Sequence, residues 1–172
     1  MSYEVPFVEK ENVTIISLGD SLEAATVRAI LESYNYRVAV QWVGSRKELV
    51  AILSGDIFTD NTLILSCHGT KEGIVIPDEP ALTAEELSNT AKLPGKTIIN
   101  LGCLTGSPVF VNAFKTAGVQ HYIAPIDYPE GKAAINFTAN LFLLISSKVE
   151  LGEAVARAAD FDAETQQFKL LH

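Results

Sequence analysis

Short apolar runs alternate along this chain with stretches in which apolar residues recur at helical spacing. The runs are rich in β-branched residues and are bounded by glycine, proline or polar residues, as is typical of buried strands. They predict strands at residues 12–18, 36–43, 62–67, 96–101 and 119–125. The helical stretches predict helices over residues 21–33, 46–53, 84–91, 109–117, 131–148 and 151–160, and a short hairpin is expected within 73–80.

The predicted strands are continuous apolar runs, and short connectors join them to the helices. Strands of this kind are buried on both faces, whereas a strand with one wet face alternates apolar and polar residues. The pattern therefore predicts an α/β fold: a three-layer sandwich of about five mainly parallel strands flanked by helices on both faces. No sixth strand is evident after Pro125. Because no linker, repeat or low-complexity segment interrupts the alternation, we expect residues 1–172 to form a single domain.

Charge and composition narrow the range of partners. The chain carries 13 Lys and Arg residues against 21 Asp and Glu residues, a net charge of −8, which argues against nucleic acid or an anionic membrane as a partner. The amino-terminal sequence does not have the pattern of a secretory signal, and no apolar run is long enough to span a membrane. We therefore expect a cytoplasmic protein with reduced thiols. Neither of the common glycine-rich phosphate-binding motifs is present, and no cofactor is predicted.

Two chemically reactive side chains follow neighbouring strands of the predicted sheet. His68 comes directly after the third predicted strand, and Cys103 comes shortly after the fourth. Because a single crossover joins these strands, we expect both side chains to emerge at the same edge of the sheet, where binding crevices of such folds lie. The helix that starts near Ser107 and Pro108 is expected to favour the thiolate form of Cys103. This arrangement places a base beside a nucleophile.

Five segments resemble the caspase-like clan of cysteine peptidases, and within that clan the CHAT family related to separases. They are LILSCHGTKEGIVI, LTAEELSN, TIINLGCLTG, AFKTAGVQHYIAP and LGEAVARAA, which together span about residues 62–159. The resemblance implies a cysteine endopeptidase that acts on a protein or peptide. It implies that His68 is the general base or acid, that Cys103 is the nucleophile, and that the amides of Gly69 and Cys103 form the oxyanion hole.

Two aspartates are candidates for substrate binding. Asp20 follows the first predicted strand, where caspase-like enzymes often place a residue of the pocket for the side chain preceding the cleaved bond. An aspartate there would favour Lys or Arg in the substrate by charge pairing. The alternative is that Asp20 caps the helix that begins near Ser21, for which Ser21 is itself a candidate cap. Asp127, after the fifth predicted strand, is the second candidate, and the alternative for it is a plain turn residue.

Other roles for these residues remain open from sequence alone. We expect Cys67 to be a core residue that faces away from His68, and His121 to be a packed or edge residue of the fifth strand. A disulfide between the two cysteines and a metal site that includes His68 are minor alternatives. Two further functions fit the same pattern: a catalytically inactive caspase-like interaction or signalling module, and a flavodoxin-like binding domain.

Overall fold

The structure, a computed structural model, describes residues 10–172, and the prediction that the amino terminus is not a secretory signal falls mostly outside this range. The strands are β1 (Asn12–Ser17), β2 (Arg37–Trp42), β3 (Thr62–Ser66), β4 (Ile74–Ile76), β5 (Glu79–Leu82), β6 (Thr97–Asn100), β7 (His121–Pro125) and β8 (Phe168–Leu170). The helices are α1 (Ser21–Ser33), α2 (Arg46–Leu53), α3 (Ala84–Thr90), α4 (Pro108–Thr116), α5 (Gly131–Ser146) and α6 (Leu151–Ala159).

Six of the strands form one twisted sheet in the order β2-β1-β3-β6-β7-β8. All neighbours are parallel except β7 and β8, which are antiparallel. β4 and β5 form a separate antiparallel hairpin between β3 and α3, where the sequence predicts one. The predicted fold class is confirmed, and the two strands that precede His68 and Cys103 are neighbours at the centre of the sheet.

Helices cover both faces of the sheet and give the molecule two apolar cores. One core contains residues of α2, α3 and α4, and the other contains residues of α1, α5 and α6. Within β3, Leu63 and Leu65 belong to the first core and Ile64 belongs to the second. Full burial of each such side chain stabilises the folded state by roughly 1.5–3 kcal/mol relative to leaving it exposed to water. Burial on both faces explains why the strands are continuous apolar runs.

The sheet has one strand more than the sequence predicts. β8 is only three residues long, too short to show a periodicity, and it lies antiparallel to β7 at the edge of the sheet. Phe168 anchors it, because its ring stacks on that of Phe137 with the ring centres 4.4 Å apart. No helix within residues 10–172 is long and apolar enough to cross a bilayer.

Two helix starts differ in detail from the sequence prediction. Asp20, rather than Ser21, is the N-cap of α1, and its carboxylate accepts a hydrogen bond from the Glu23 N–H at 2.9 Å. Ser107 is the N-cap residue of α4, but its hydroxyl makes no capping hydrogen bond; Pro108 supplies the first-turn proline as expected. Asp20 therefore has the capping role that the sequence left as an alternative.

Candidate active site

The chain segments that follow β3 and β6 are in direct contact at the carboxyl edge of the sheet. Leu65 pairs with Asn100 at the end of the two strands, and Gly69 then packs against Cys103. A Cβ atom at Gly69 would overlap the Cys103 carbonyl oxygen and lie 3.1 Å from the Cys103 backbone nitrogen and carbon. His68 is exposed and Cys103 is partly exposed, so both side chains are accessible from solvent. The structure thus brings together the backbone segments that carry His68 and Cys103.

A buried hydrogen-bond network holds the turn that carries Cys103. The Asn100 carboxamide accepts a hydrogen bond from the Gly102 N–H at 3.0 Å and donates one to the Tyr122 hydroxyl at 3.3 Å. The Tyr122 hydroxyl donates to the Thr105 carbonyl at 2.7 Å, and the Thr105 hydroxyl donates to the Gly102 carbonyl at 2.6 Å. These bonds fix the backbone on both sides of Cys103. Sequence analysis missed Asn100, although a polar residue at the end of the buried TIIN strand is a usable signal.

The N–H groups of Gly69 and Cys103 are not used in hydrogen bonds to other residues that the structure describes. In the turn around Cys103, the backbone N–H groups that donate hydrogen bonds to other residues belong to Gly102, Leu104, Thr105, Gly106 and Ser107. Within residues 10–172, the N–H groups of Cys103 and Gly69 make no hydrogen bond to another residue. Buried N–H groups are rarely left unpaired, and a pair of them beside a nucleophile is the arrangement that stabilises an oxyanion.

The surroundings of the Cys103 thiol favour its protonated form. Burial raises the pKa of the thiol, its own backbone N–H lowers it, and the carboxylates of Glu23 and Asp127 raise it further. The Pro129 carbonyl oxygen lies 4.0 Å from Sγ. The net direction is opposite to the thiolate that was expected from the start of α4, because burial and the two carboxylates favour the protonated form.

Glu23 is a site residue that sequence analysis missed. It lies in the first turn of α1, where an acidic residue is adequately explained by the helix dipole. In the structure its carboxylate accepts a hydrogen bond of 2.6 Å from the Ser66 hydroxyl. Burial raises the pKa of Glu23, the Ser66 hydrogen bond lowers it, the nearby Asp20 raises it, and His68 lowers it. A half-buried carboxylate therefore lies within electrostatic reach of the histidine.

The raised pKa of Glu23 predicts a specific dependence of stability on pH. A carboxyl group that binds its proton more tightly when folded stabilises the protein below its ordinary pKa of 4.5, and this contribution is lost as pH rises through the folded-state pKa. We expect Glu23→Gln, which does not titrate, to gain stability relative to the wild type between about pH 4 and pH 7. Urea unfolding across this range measures the difference. The matched control is Glu85→Gln, which removes an exposed carboxyl group in the first turn of α3.

The two candidate aspartates lie at the same edge of the sheet as the histidine and the cysteine. Asp20 is at the amino terminus of α1, next to Glu23. Asp127 follows β7 and is exposed; its carbonyl accepts a hydrogen bond from the Leu104 N–H at 3.0 Å, and its carboxylate raises the pKa of Cys103. Leu104 has a φ of 59°, an unusual backbone conformation for leucine directly after the cysteine. The carboxyl groups of Asp20, Glu23 and Asp127 thus all lie at the carboxyl edge of the sheet.

The remaining histidine and cysteine candidates lie elsewhere or are inaccessible. Cys67 is buried, its thiol donates to the Asn100 side-chain oxygen at 3.4 Å, and burial raises its pKa strongly. Both cysteines are free thiols. His121 begins β7 and therefore lies at the opposite, amino edge of the sheet. Among residues 10–172, no three His, Cys, Asp or Glu side chains are placed together to hold a metal ion.

Three solved structures of cysteine proteases are similar to this chain. The Arg-specific cysteine proteinase gingipain R has a TM-score of 0.59 and 10% identity, and the match covers 91% of this chain and 44% of gingipain R. The Saccharomyces cerevisiae separase–securin complex has a TM-score of 0.58 and 12% identity, with 95% of this chain and 12% of that chain covered. A secreted C11 cysteine protease from Bacteroides thetaiotaomicron has a TM-score of 0.53 and 10% identity, with 90% of this chain and 63% of that chain covered. The chain thus spans less than two thirds of the length of each. No family model matches the sequence, and the comparison with curated proteins finds no relative.

This similarity concerns the fold, which is the caspase-like α/β sandwich of these peptidases. The order of the five parallel strands is also that of flavodoxin-like proteins. The antiparallel β8, together with the three similar protease structures, favours the caspase-like architecture over the flavodoxin-like alternative.

Proposed function

We propose that this protein is a cysteine endopeptidase in which His68 and Cys103 form the catalytic dyad. The observation that carries the proposal is the contact between Gly69 and the backbone of Cys103. The Cys103 thiol is partly exposed, and the N–H groups of both residues make no hydrogen bond to another residue within 10–172. The caspase-like fold supports the same assignment, and so does the resemblance of the segments around His68 and Cys103 to the CHAT family. Each element of the proposed mechanism is a side chain or amide of this chain.

The proposed reaction has two stages. His68 takes the proton of the Cys103 thiol as the sulfur attacks the peptide carbonyl, and the N–H groups of Gly69 and Cys103 bind the resulting oxyanion. His68 then donates that proton to the leaving amine as the C–N bond breaks, which leaves a thioester on Cys103. In the second stage His68 takes a proton from water as its oxygen attacks the thioester; the C–S bond then breaks, His68 returns the proton to the sulfur, and the carboxylic acid leaves.

Glu23 and the raised pKa of Cys103 shape this mechanism. Because the thiol is protonated at rest, proton transfer to His68 has to accompany the attack. The Glu23 carboxylate lies within electrostatic reach of His68, so its charge would attract the positive charge that forms on the ring as the proton is transferred. Glu23 thus acts through its charge in the proposal.

We propose further that the enzyme cleaves peptides after a basic residue. Asp20 and Asp127 lie at the catalytic edge of the sheet, and together with Glu23 they give it a negative charge. A Lys or Arg side chain before the cleaved bond would pair with one of these carboxylates. Gingipain R, one of the three similar structures, is an Arg-specific proteinase, which agrees with this choice.

Covalent labelling tests the proposal directly. A peptide probe that ends in an electrophilic carbonyl and has Arg before it should label the protein once, at Cys103, as read by intact-mass and peptide mass spectrometry. Labelling should be lost in Cys103→Ala and retained in the matched variant Cys67→Ala, since Cys67 is buried. An uncharged analogue of the probe should label more slowly. Labelling that survives Cys103→Ala would contradict the proposal.

The alternative of a catalytically inactive module has one observation in its favour. The pKa of Cys103 is raised, and the Pro129 carbonyl lies beside the thiol, so the resting thiol is not activated. Under this alternative the probe leaves Cys103 unmodified while a small alkylating agent modifies it at alkaline pH. The same labelling experiment therefore separates the two functions.

A further inference from the structure

A pocket that the proposed mechanism does not use lies at the carboxyl edge of the sheet, beyond β1 and β2. It has a volume of about 250 Å³ and is lined by Ser17, Gly19, Ser21, Trp42, Val43 and Gly44. The indole of Trp42 is 54% exposed, an unusual degree for a tryptophan at the end of a strand. Gly44, which also lines the pocket, has open space on its side-chain side, because a Cβ atom there would meet nothing within 4 Å. The pocket is large enough for one side chain and has an aromatic wall.

The position of this pocket relative to the dyad follows from the strand order. At the carboxyl edge of the sheet, Cys103 follows β6 and His68 follows the neighbouring strand β3. The ends of β1 and then β2 lie beyond His68 in the same direction. Trp42 is in register with Ser17, and Ser17 is in register with Ser66, two residues before His68. The Trp42 pocket therefore lies on the histidine side of the thiol.

The chemistry of peptide cleavage decides which part of a substrate lies on that side. In the proposed mechanism His68 protonates the leaving amine, so the chain that follows the cleaved bond must run past the histidine. Two strand spacings separate Ser66 from Trp42, which is roughly 10 Å, and an extended peptide advances about 3.3 Å per residue. The second or third residue after the cleaved bond would reach the pocket.

We propose that the Trp42 pocket is a substrate-binding subsite for a large apolar side chain at the second or third position after the cleaved bond. This inference rests on the proposed peptidase function. It assigns the specificity of the leaving portion of the substrate to β1 and β2, whereas Asp127, which follows β7 on the other side of the thiol, is the carboxylate placed to act on the side chain before the bond. An aromatic or branched aliphatic side chain suits the pocket, because its lining is mostly apolar around the indole.

Two substrates with the same residues before the cleaved bond separate this subsite from the catalytic dyad. One is a peptide with Arg before the bond and a leucine moved in turn through the first four positions after it. The other is a fluorogenic amide of the same sequence that has no residue after the bond. The wild type should prefer leucine at the second or third position, and Trp42→Ala should lower kcat/KM for that peptide about tenfold. Hydrolysis of the fluorogenic amide should be unchanged.

Two further variants serve as comparisons for Trp42→Ala. Phe58→Ala removes another exposed aromatic ring, 82% exposed and in the loop before β3 at the amino edge of the sheet, and should leave both substrates unaffected. Trp42→Phe should restore most of the preference. If Trp42→Ala slows both substrates equally, or neither, the subsite assignment is overturned while the peptidase function stands. If the wild type cleaves neither substrate, both proposals are overturned.

Discussion

Replacing Gly69 with alanine should lower the free energy of unfolding by about 3 kcal/mol and abolish labelling of Cys103 by the peptide probe. The added Cβ atom would overlap the Cys103 carbonyl oxygen and would also be 3.1 Å from the carbonyl carbon and the backbone nitrogen of that residue. All three atoms are backbone, so no side-chain rotation relieves the overlap. The segments that carry the histidine and the cysteine must then separate.

Gly131→Ala is the matched control for this prediction. A Cβ atom at Gly131 meets nothing within 4 Å, and the residue is the first of α5, where alanine is favourable. We expect its free energy of unfolding to equal or slightly exceed that of the wild type. Denaturant unfolding of the two variants gives the comparison. A Gly69→Ala protein with wild-type stability and labelling would show that the close approach of the two segments is not needed.

Replacing His68 with alanine should lower kcat/KM for a peptide with Arg before the cleaved bond by about 10³-fold or more. The thiol of Cys103 has a raised pKa, so without the histidine no group at the site takes its proton during the attack. The leaving amine also loses its proton donor. His68 is exposed, so its removal should not change the free energy of unfolding appreciably. Steady-state hydrolysis and thermal unfolding measure the two quantities.

His121→Ala provides a histidine control in the same protein. His121 begins β7 at the amino edge of the sheet, far from the carboxyl edge where Cys103 lies. Its removal should leave kcat/KM unchanged. An equal loss of activity in both variants would indicate a general effect on the fold and would contradict the role assigned to His68.

The apolar pattern was sufficient to predict most of the fold. Strands buried on both faces appear in the sequence as continuous apolar runs, and helices appear as apolar residues at helical spacing. The strands β1, β2, β3, β6 and β7 and the six helices therefore lie close to their predicted bounds. β8 escaped prediction because three residues carry no periodicity and the strand exists only through its pairing with β7 and the stacking of Phe168 on Phe137. The N-cap of α1 shifted by one residue because Asp20 and Ser21 are both good caps.

Only some residues of the candidate site could be predicted from the sequence. Turns after parallel strands converge on one edge, so His68 and Cys103 were expected together on that ground alone. Glu23 was missed because an acid in a first helical turn has a common explanation, and its contact with Ser66 links residues 43 positions apart. The pKa of Cys103 was expected to fall and instead rises, because burial and the carboxylates of Glu23 and Asp127 disfavour the thiolate.

The sequence by itself determined the α/β class, the alternation of strands and helices, and the placement of a histidine and a cysteine at one edge of the sheet. These follow from local periodicity and from the rule that neighbouring parallel strands end on the same side. The tertiary structure alone decided that Gly69 touches Cys103, that Asn100 and Tyr122 hold the cysteine turn, and that Trp42 opens a pocket beyond the histidine. Each of these depends on contacts between residues far apart in the chain, and such contacts arise only when the helices and strands pack together.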